Sequence, residues 1–358
     1  MTEKINQLQQ ELYATLKQAE KDRRKLSIFR VLCYGGALVY FIGLIATQIM
    51  PYFESGRALL LNDYTVNPNP TFLEQNKLLI FILPLFVLIT IGGFGVAAYF
   101  KKFATAEQTS IRRIFKEMFP DAKLALLPSD VSKFMLLQSN FFGGVSNISG
   151  QSLGMVIFEN GGRKITFRDM LINPEKPSNG LGMIPVIGGL LVAIGWMFKG
   201  MLGARAENII STFRGMFANA QLDKKINGSV VVLPDHLESK LDYLAKNIQA
   251  LKNVNGNKLV MLEDVEFERY FAVYASDEML ARYVLTPAMM LRMTELKKKY
   301  NRDIMLSFNG DIFYFAVAMP EGFLTLGGSS LTSGEAMKDL YDNFATARDI
   351  LNDLNLSQ

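Results

Sequence analysis

Two long stretches without a charged residue constrain this chain more than any other feature of its sequence. Val31–Met50 carries no charge over twenty residues, and Leu78–Phe100 carries none over twenty-three. An α-helix rises about 1.5 Å per residue, so either stretch is long enough to cross a hydrocarbon layer of about 30 Å. We therefore predict a two-helix transmembrane hairpin within residues 28–100, with an external loop at 51–76.

Basic residues indicate how these spans are oriented. Arg57 is the only Lys or Arg in loop 51–76. By contrast, clusters of basic residues flank the hairpin at its two outer ends: Lys17, Lys21, Arg23, Arg24, Lys25 and Arg30 before it, and Lys101, Lys102, Arg112, Arg113 and Lys116 after it. Because Lys and Arg are enriched on the cytoplasmic side of membrane proteins, both termini are predicted to be cytoplasmic. The expected location is the inner (cell) membrane of a bacterium.

The segment that precedes the first span has an apolar stripe at helical spacing. Its members are Ile5, Leu8, Leu12, Leu16 and Ala19. This spacing predicts an amphipathic helix over residues 1–27. Three interpretations remain open: a short coiled coil, a helix lying on the membrane surface, or a solvated helix that packs on its own domain.

A third uncharged run, residues 181–198, interrupts the second half of the chain. Its length meets the threshold for a span, but basic residues flank both ends, which places both ends on one side. Pro185 and the pair Gly188-Gly189 are expected to turn the chain midway, so we favour a membrane-dipping hairpin or an interfacial helix. A third full span and a buried core element are the alternatives. The residues predicted to contact the membrane are Trp196, Lys199 and Arg205.

Residues 101–358 show the mixed pattern of an α+β domain. Asn-Gly pairs favour tight hairpin turns with positive φ at both central residues, and three are well placed: Asn160-Gly161, Asn227-Gly228 and Asn309-Gly310. Leucines at helical spacing predict a helix over 236–251, and Thr286-Pro287 is a typical helix start. The predicted fold is an antiparallel sheet, with a cytoplasmic location, closed by a C-terminal helix and carrying the apolar insertion at 181–198.

Composition removes several kinds of chemistry. One cysteine, Cys33, and one histidine, His236, leave no intramolecular disulfide and no Cys-rich zinc site, and a net charge of +4 does not suggest nucleic acid as a partner. No phosphate-binding glycine loop or nucleophile elbow is present. The acids of residues 263–278 are dense enough to suggest a divalent-metal-dependent enzyme as a minor hypothesis. We assign no catalytic, cofactor-binding or metal-binding residue, and we expect no cofactor.

One stretch resembles a known family. It runs from Leu262 to about Met319, and includes Leu262-Glu263-Asp264, Tyr270-Phe271 and Ala281 to Pro287. Thr212-Phe213-Arg214-Gly215 and Val232-Leu233-Pro234-Asp235 look similar too. Together they resemble a bacterial family catalogued as domain of unknown function 3137, over most of residues 105–320. The resemblance implies a fold and a membrane address, but no reaction.

Two functions follow as expectations. The first is a non-enzymatic membrane-anchored scaffold or accessory subunit that binds a protein partner or forms a homo-oligomer. The alternative is recognition of membrane lipid, supported by the 181–198 run and by the basic cluster Lys297-Lys298-Lys299.

Overall fold

The computed structural model describes residues 2–44, 77–142, 148–160, 163–173, 185–203, 211–222, 225–235, 256–327 and 329–353. Contacts divide the chain into two compact units. The sheet unit contains residues 1–16, 107–177 and 208–358, and the helical unit contains residues 17–106 and 178–207. The chain therefore passes between the units four times.

Helices account for the whole described part of the helical unit. Helix α1 (Thr2–Arg30) leads through a π-helical turn (Val31–Gly35) into α2 (Gly36–Leu44). Helix α3 (Lys77–Met118) contains Pro84 and continues without a break into the sheet unit. The apolar run of residues 181–198 contributes α5 (Pro185–Leu202).

The helices of this unit meet at small residues. A Cβ atom on Gly92 of α3 would lie 2.2 Å from the Cβ of Cys33, and one on Gly200 of α5 would lie 2.8 Å from the ring of Tyr34. Met197 of α5 shares a small buried cluster with Ala37 and Leu85. Close approach through glycine is typical of helices that pack inside a membrane.

The sheet unit contains an antiparallel sheet that confirms the predicted α+β class. Its strands in the described residues are β1 (Lys123–Ala125), β2 (Ser129–Val131), β3 (Ser149–Asn160), β4 (Arg163–Asn173), β5 (Phe213–Gln221), β6 (Ser229–Pro234), β7 (Lys258–Val260), β8 (Phe271–Ala275), β9 (Ile304–Asn309) and β10 (Ile312–Ala318). The spatial order is β1-β3-β4-β5-β10-β9-β6-β8-β7, with β2 paired to β3 beside β1.

Helices complete the sheet unit. They are α4 (Lys133–Gln138), α6 (Val265–Glu268), α7 (Glu278–Val284), α8 (Pro287–Tyr300) and the C-terminal helix α9 (Glu335–Asp353). Helix α8 starts as predicted, because Thr286 Oγ1 accepts the Met289 amide at 3.3 Å. The helix predicted over 236–251 lies outside the described residues.

One buried cluster of the sheet unit joins Leu136 of α4 to side chains of the sheet. It is rich in aromatic and other large side chains, with Phe141, Phe142, Phe217 and Tyr314 all at 1% exposure or less. Strands of this composition pair well because branched and aromatic side chains fill the pleated surface. Leu8, Leu12 and Leu16 of α1 are also buried, which favours the interpretation of that helix as one that packs on its own domain.

Two of the predicted turns differ from expectation. Asn309 pairs with Ile312, so the loop between β9 and β10 is Gly310-Asp311, and of these only Gly310 has positive φ, at 64°. Glycine at the first central position is the requirement of a type II′ turn, not the predicted type I′. Asn227-Gly228 does not join β5 to β6 as a hairpin, because β10 and β9 lie between those strands.

Candidate functional site

Each carboxylate of the acidic zone, residues 263–278, has a structural role. Asp264 accepts the amides of Glu266 and Phe267, and Asp277 accepts the amide of Leu280, so each begins a short helix. Glu268 accepts the amide of Leu262 at 2.6 Å. In the part of the chain that the structure describes, no group of three or more His, Cys, Asp or Glu residues is arranged to hold a metal.

Arg282 ties two parts of this zone together. Its guanidinium pairs with Glu278 at 3.0 Å and with Glu263 at 3.4 Å, and it donates to the carbonyl of Met261 at 3.4 Å. Asp277 is not a partner of Arg282, because the carboxylate of Asp277 caps α7, whereas Glu278 lies one helical turn before Arg282 on the same face.

The basic cluster at the end of α8 faces acidic side chains of its own unit. Lys297 pairs with Asp303 at 2.9 Å, Lys298 with Glu266, and Lys299 with Asp349 at 2.5 Å. The hydrogen bond to Glu266 raises the pKa of Lys298, and the one to Asp349 raises the pKa of Lys299. Each of these lysines is therefore paired with a carboxylate of the same unit, while the side chains of Lys298 and Lys299 remain 46% and 60% exposed.

Trp196 and Lys199 lie on the outer surface of the helical unit. Trp196 is 54% exposed and contacts Tyr34 edge to face, with ring centroids 5.7 Å apart. Lys199 is exposed in the last turn of α5. Arg205, the third predicted membrane-contact residue, and His236 lie outside the described residues.

Helix α5 has no midway turn. Pro185 is its first residue, where a missing amide costs nothing, and Gly188-Gly189 continue the same helix. The predicted hairpin within residues 181–198 is therefore wrong. The helix runs antiparallel to the first span: Tyr34 lies beside Gly200, and Ala37 clusters with Met197, three residues earlier in α5.

The strands on either side of α5 are hydrogen-bonded neighbours. Strand β4 pairs with β5 from Ile165–Ala220 to Ile172–Phe213. The amide of Thr212 also donates to the carbonyl of Ile172 at 2.8 Å. The chain therefore leaves the sheet for α5 and returns to it at one point.

A group of exposed apolar residues in the sheet unit was not found from the sequence. Met261, Met279 and Tyr283 are 64%, 77% and 68% exposed. Arg282 of α7 donates a hydrogen bond to the carbonyl of Met261, which follows β7. We call these three residues the apolar patch. Helical periodicity gave no signal here, because α7 is only seven residues long.

The comparisons with known proteins can now be set beside this geometry. Residues 211–356 match the family model described as "Protein of unknown function (DUF3137)". This part of the chain belongs to the DUF3137 family. The match begins just before β5 and extends through α9, so it covers less of the sheet before β5 and more of the C-terminus than the resemblance suggested. Helix α5 and both apolar spans precede the DUF3137 segment.

Two further comparisons add little. No relative among curated proteins matches the chain. Among solved structures, the chain is similar to the crystal structure of the mycobacterial trehalose monomycolate transport factor A, TtfA, with 10% sequence identity and a TM-score of 0.33. That similarity covers 68% of this chain and 94% of the other. The apolar patch lies within residues 211–356, the part of the chain that matches the DUF3137 model.

Proposed function

We propose that this protein is a non-enzymatic, membrane-anchored scaffold or accessory subunit whose sheet unit binds a protein partner. The observation that carries the proposal is the apolar patch, Met261, Met279 and Tyr283. Exposed apolar side chains grouped with polar neighbours are typical of protein-binding surfaces. Methionine and tyrosine are among the residues enriched in such interfaces.

The charged side chains beside the patch support this proposal. Glu263, Glu278 and Arg282 form an exposed ion-paired set in contact with the backbone of Met261. A polar rim around an apolar centre is the usual anatomy of an interface. An enzymatic site would instead need carboxylates free to act on a substrate, and those of Asp264, Asp277 and Glu268 already accept backbone amides.

A photo-crosslinking side chain tests the partner directly. It is placed at Tyr283 and, as a control, at Lys123, an exposed residue of β1 at the other end of the sheet. We expect an adduct of defined mass in intact membranes from Tyr283 and not from Lys123. An adduct with a second copy of the chain would identify a homo-oligomer. Equal labelling from both positions, or none from Tyr283, would contradict the proposal.

The same proposal includes the absence of catalysis. Cys33 is buried among apolar helices, and His236 is the only histidine. We expect that purified protein shows no hydrolase turnover that depends on His236. Loss of a robust turnover in a folded His236→Ala variant would overturn this part of the proposal.

Membrane anchoring rests on the helical unit. Helices Gln7–Leu44 and Leu83–Met118 are long and apolar enough to cross a membrane. We propose an inner-membrane location with both termini in the cytoplasm. A reporter that is active only outside the cytoplasm should be active when fused after Asp63 and silent when fused at Gln358. The reverse pattern would contradict this orientation.

Contact between α5 and lipid is the second candidate role, supported by the 54% exposure of Trp196. Trp196 is the only tryptophan, so the tryptophan fluorescence of the protein reports on α5 alone. We expect brominated phospholipids to quench this fluorescence strongly and iodide to quench it weakly. Strong quenching by iodide alone would place α5 in water.

A further inference from the structure

A short segment without regular secondary structure connects three elements of the sheet unit. It comprises residues 322–327, which we call the strap. Gly322 and Gly327 bound it, with φ of 99° and 67°. Both values lie in the region that glycine adopts without strain, so the chain changes direction at each end of the strap. Between them Phe323 and Leu326 are almost fully buried.

The first anchor of the strap is on β4. Asp169, 1% exposed, accepts the amides of Phe323 at 3.0 Å and Leu324 at 3.2 Å. The same carboxylate holds Arg214 of β5 through two hydrogen bonds, of 2.5 and 3.1 Å. Breaking any one of these hydrogen bonds would leave a buried charge less compensated, so the strap stays attached to β4 and β5.

The second anchor is on α9. Asn343 donates from one amide nitrogen to the carbonyls of Gly322 and Phe323, each at 3.3 Å. The ring of Phe323 packs edge to face on Phe344, with centroids 5.9 Å apart. The strap is therefore attached to the sheet through Asp169 and to the C-terminal helix through Asn343 and Phe344.

The third anchor is Glu107 of α3. Its Oε1 atom accepts the Leu326 amide at 3.0 Å and the Thr325 hydroxyl at 2.9 Å. Burial raises the pKa of this carboxyl, and of the charged groups near it Asp169 raises that pKa further while Arg214 lowers it. Nothing in the backbone of α3 requires a carboxylate at this position, so its contribution is to hold the strap.

Helix α3 connects the strap to the second apolar stretch. It is one uninterrupted helix that runs from the second apolar stretch to Met118, and Glu107 is the first of its residues assigned to the sheet unit. A shift or rotation of a continuous helix is passed along its whole length, because its backbone hydrogen bonds keep it stiff. Glu107 is therefore the point at which movement of α3 would reach the strap.

We propose that the strap is a coupling device that transmits the position of α3 to the sheet and to α9. When α3 shifts along its axis, Glu107 pulls on Leu326 and Thr325, and the strap moves about Gly322 and Gly327. The strap then alters the setting of α9 through Asn343 and Phe344. The coupling rests on the proposed membrane anchoring, because the bilayer is what displaces α3.

Amide hydrogen exchange of the full chain in nanodiscs tests the coupling. Two bilayers are compared, dimyristoyl and dioleoyl phosphatidylcholine, whose different thickness changes the tilt of a spanning helix. We expect exchange at Leu326 and Gly327 to differ between the bilayers in the natural protein. In Glu107→Ala the Leu326 amide loses its acceptor and should exchange roughly tenfold faster in both bilayers, and the difference between bilayers should disappear.

Matched variants separate coupling from simple loss of structure. Glu107→Gln keeps an acceptor oxygen and should restore most of the protection and the bilayer dependence. Glu117→Ala removes an exposed carboxylate of the same helix and should leave both unchanged. Protection of the β4–β5 amides reports whether the sheet is intact. If the protein enters nanodiscs and the strap amides of the natural chain ignore bilayer thickness, the coupling is wrong. If it does not enter them, the anchoring itself is wrong.

Discussion

In the sheet unit the largest side chains lie inside, whereas in the helical unit many of them lie outside. Phe217 and Phe315 of the sheet have no exposed surface, while Phe94 and Val39 of the apolar helices are 76% and 72% exposed. The helical interior is built instead around small residues such as Gly92 and Ala37. Water drives large apolar groups inward, and lipid does not, so the two interiors indicate two solvents.

Both units bury charged side chains, since Glu20 and Asp22 of the helical unit are 7% and 6% exposed, but the contacts at the glycines of the helical unit are of another kind. The sheet unit buries the pair Asp169 and Arg214 and satisfies it with backbone amides of the strap. Removal of one partner from such a pair is costly, because it leaves an uncompensated charge in the interior. In the helical unit, by contrast, contacts such as Gly92 with Cys33 and Gly95 with Phe29 are purely steric. Each unit therefore has its own most vulnerable kind of residue.

Removal of the Arg214 side chain should have the largest effect on stability. Arg214→Ala leaves the buried carboxyl of Asp169 with only backbone donors, which we expect to cost about 3–5 kcal/mol of the free energy of unfolding of the sheet unit. Lys123→Ala removes an exposed pair with Glu159 and should change it by less than about 1 kcal/mol. Thermal unfolding in detergent, followed by circular dichroism, measures both. Similar effects from the two variants would show that the buried pair has no special role.

A side chain added at a helix contact should have an intermediate effect. In Gly92→Val the new Cβ atom would lie 2.2 Å from the Cβ of Cys33, so the helices must separate at an expected cost of about 1–3 kcal/mol. Gly93→Val is the matched control, because a Cβ atom there meets nothing within 4 Å. Protease resistance of the helical unit in membranes compares them. Equal resistance of the two variants would mean that these helices do not pack through Gly92.

The smallest effect is expected at the β9–β10 turn. Gly310 has open space around it, so any cost of Gly310→Val arises from its φ of 64° alone. A β-branched residue resists that conformation, and we expect a loss of about 1 kcal/mol or somewhat more. Gly310→Asn should cost less, since asparagine tolerates positive φ. The midpoint of thermal unfolding ranks the three proteins, and a valine variant as stable as the natural chain would exclude the positive-φ turn.

The sequence was informative where a local pattern decides the structure. Uncharged length predicted the apolar helices, and Thr286-Pro287 predicted the start of α8. Turn chemistry was less decisive: Asn309-Gly310 marked the right hairpin but the wrong register, because pairing of Asn309 with Ile312 is set by the neighbouring strands. Gly188-Gly189 suggested a turn, but these residues continue helix α5.

The features that depend on distant residues were beyond the reach of the sequence. The strap joins Glu107, Asp169 and Asn343, which are far apart along the chain, and no spacing rule connects them. The partners of Lys298 and Lys299, Glu266 and Asp349, are likewise remote, so the lysine cluster looked free. The apolar patch is made of single exposed residues in short elements, which leave no periodic signal.

The central claim is that both ends of the segment that carries α5 lie on the cytoplasmic side of the membrane. Cysteine labelling at Ser178 and Asn208, which flank α5, tests it in a Cys33→Ser background. Since β4 and β5 are neighbours in one sheet, and a sheet does not pair across a bilayer, we predict that both positions react only with reagent supplied from the cytoplasmic side. Labelling of Asn208 from outside the cell together with Ser178 from inside would contradict this account.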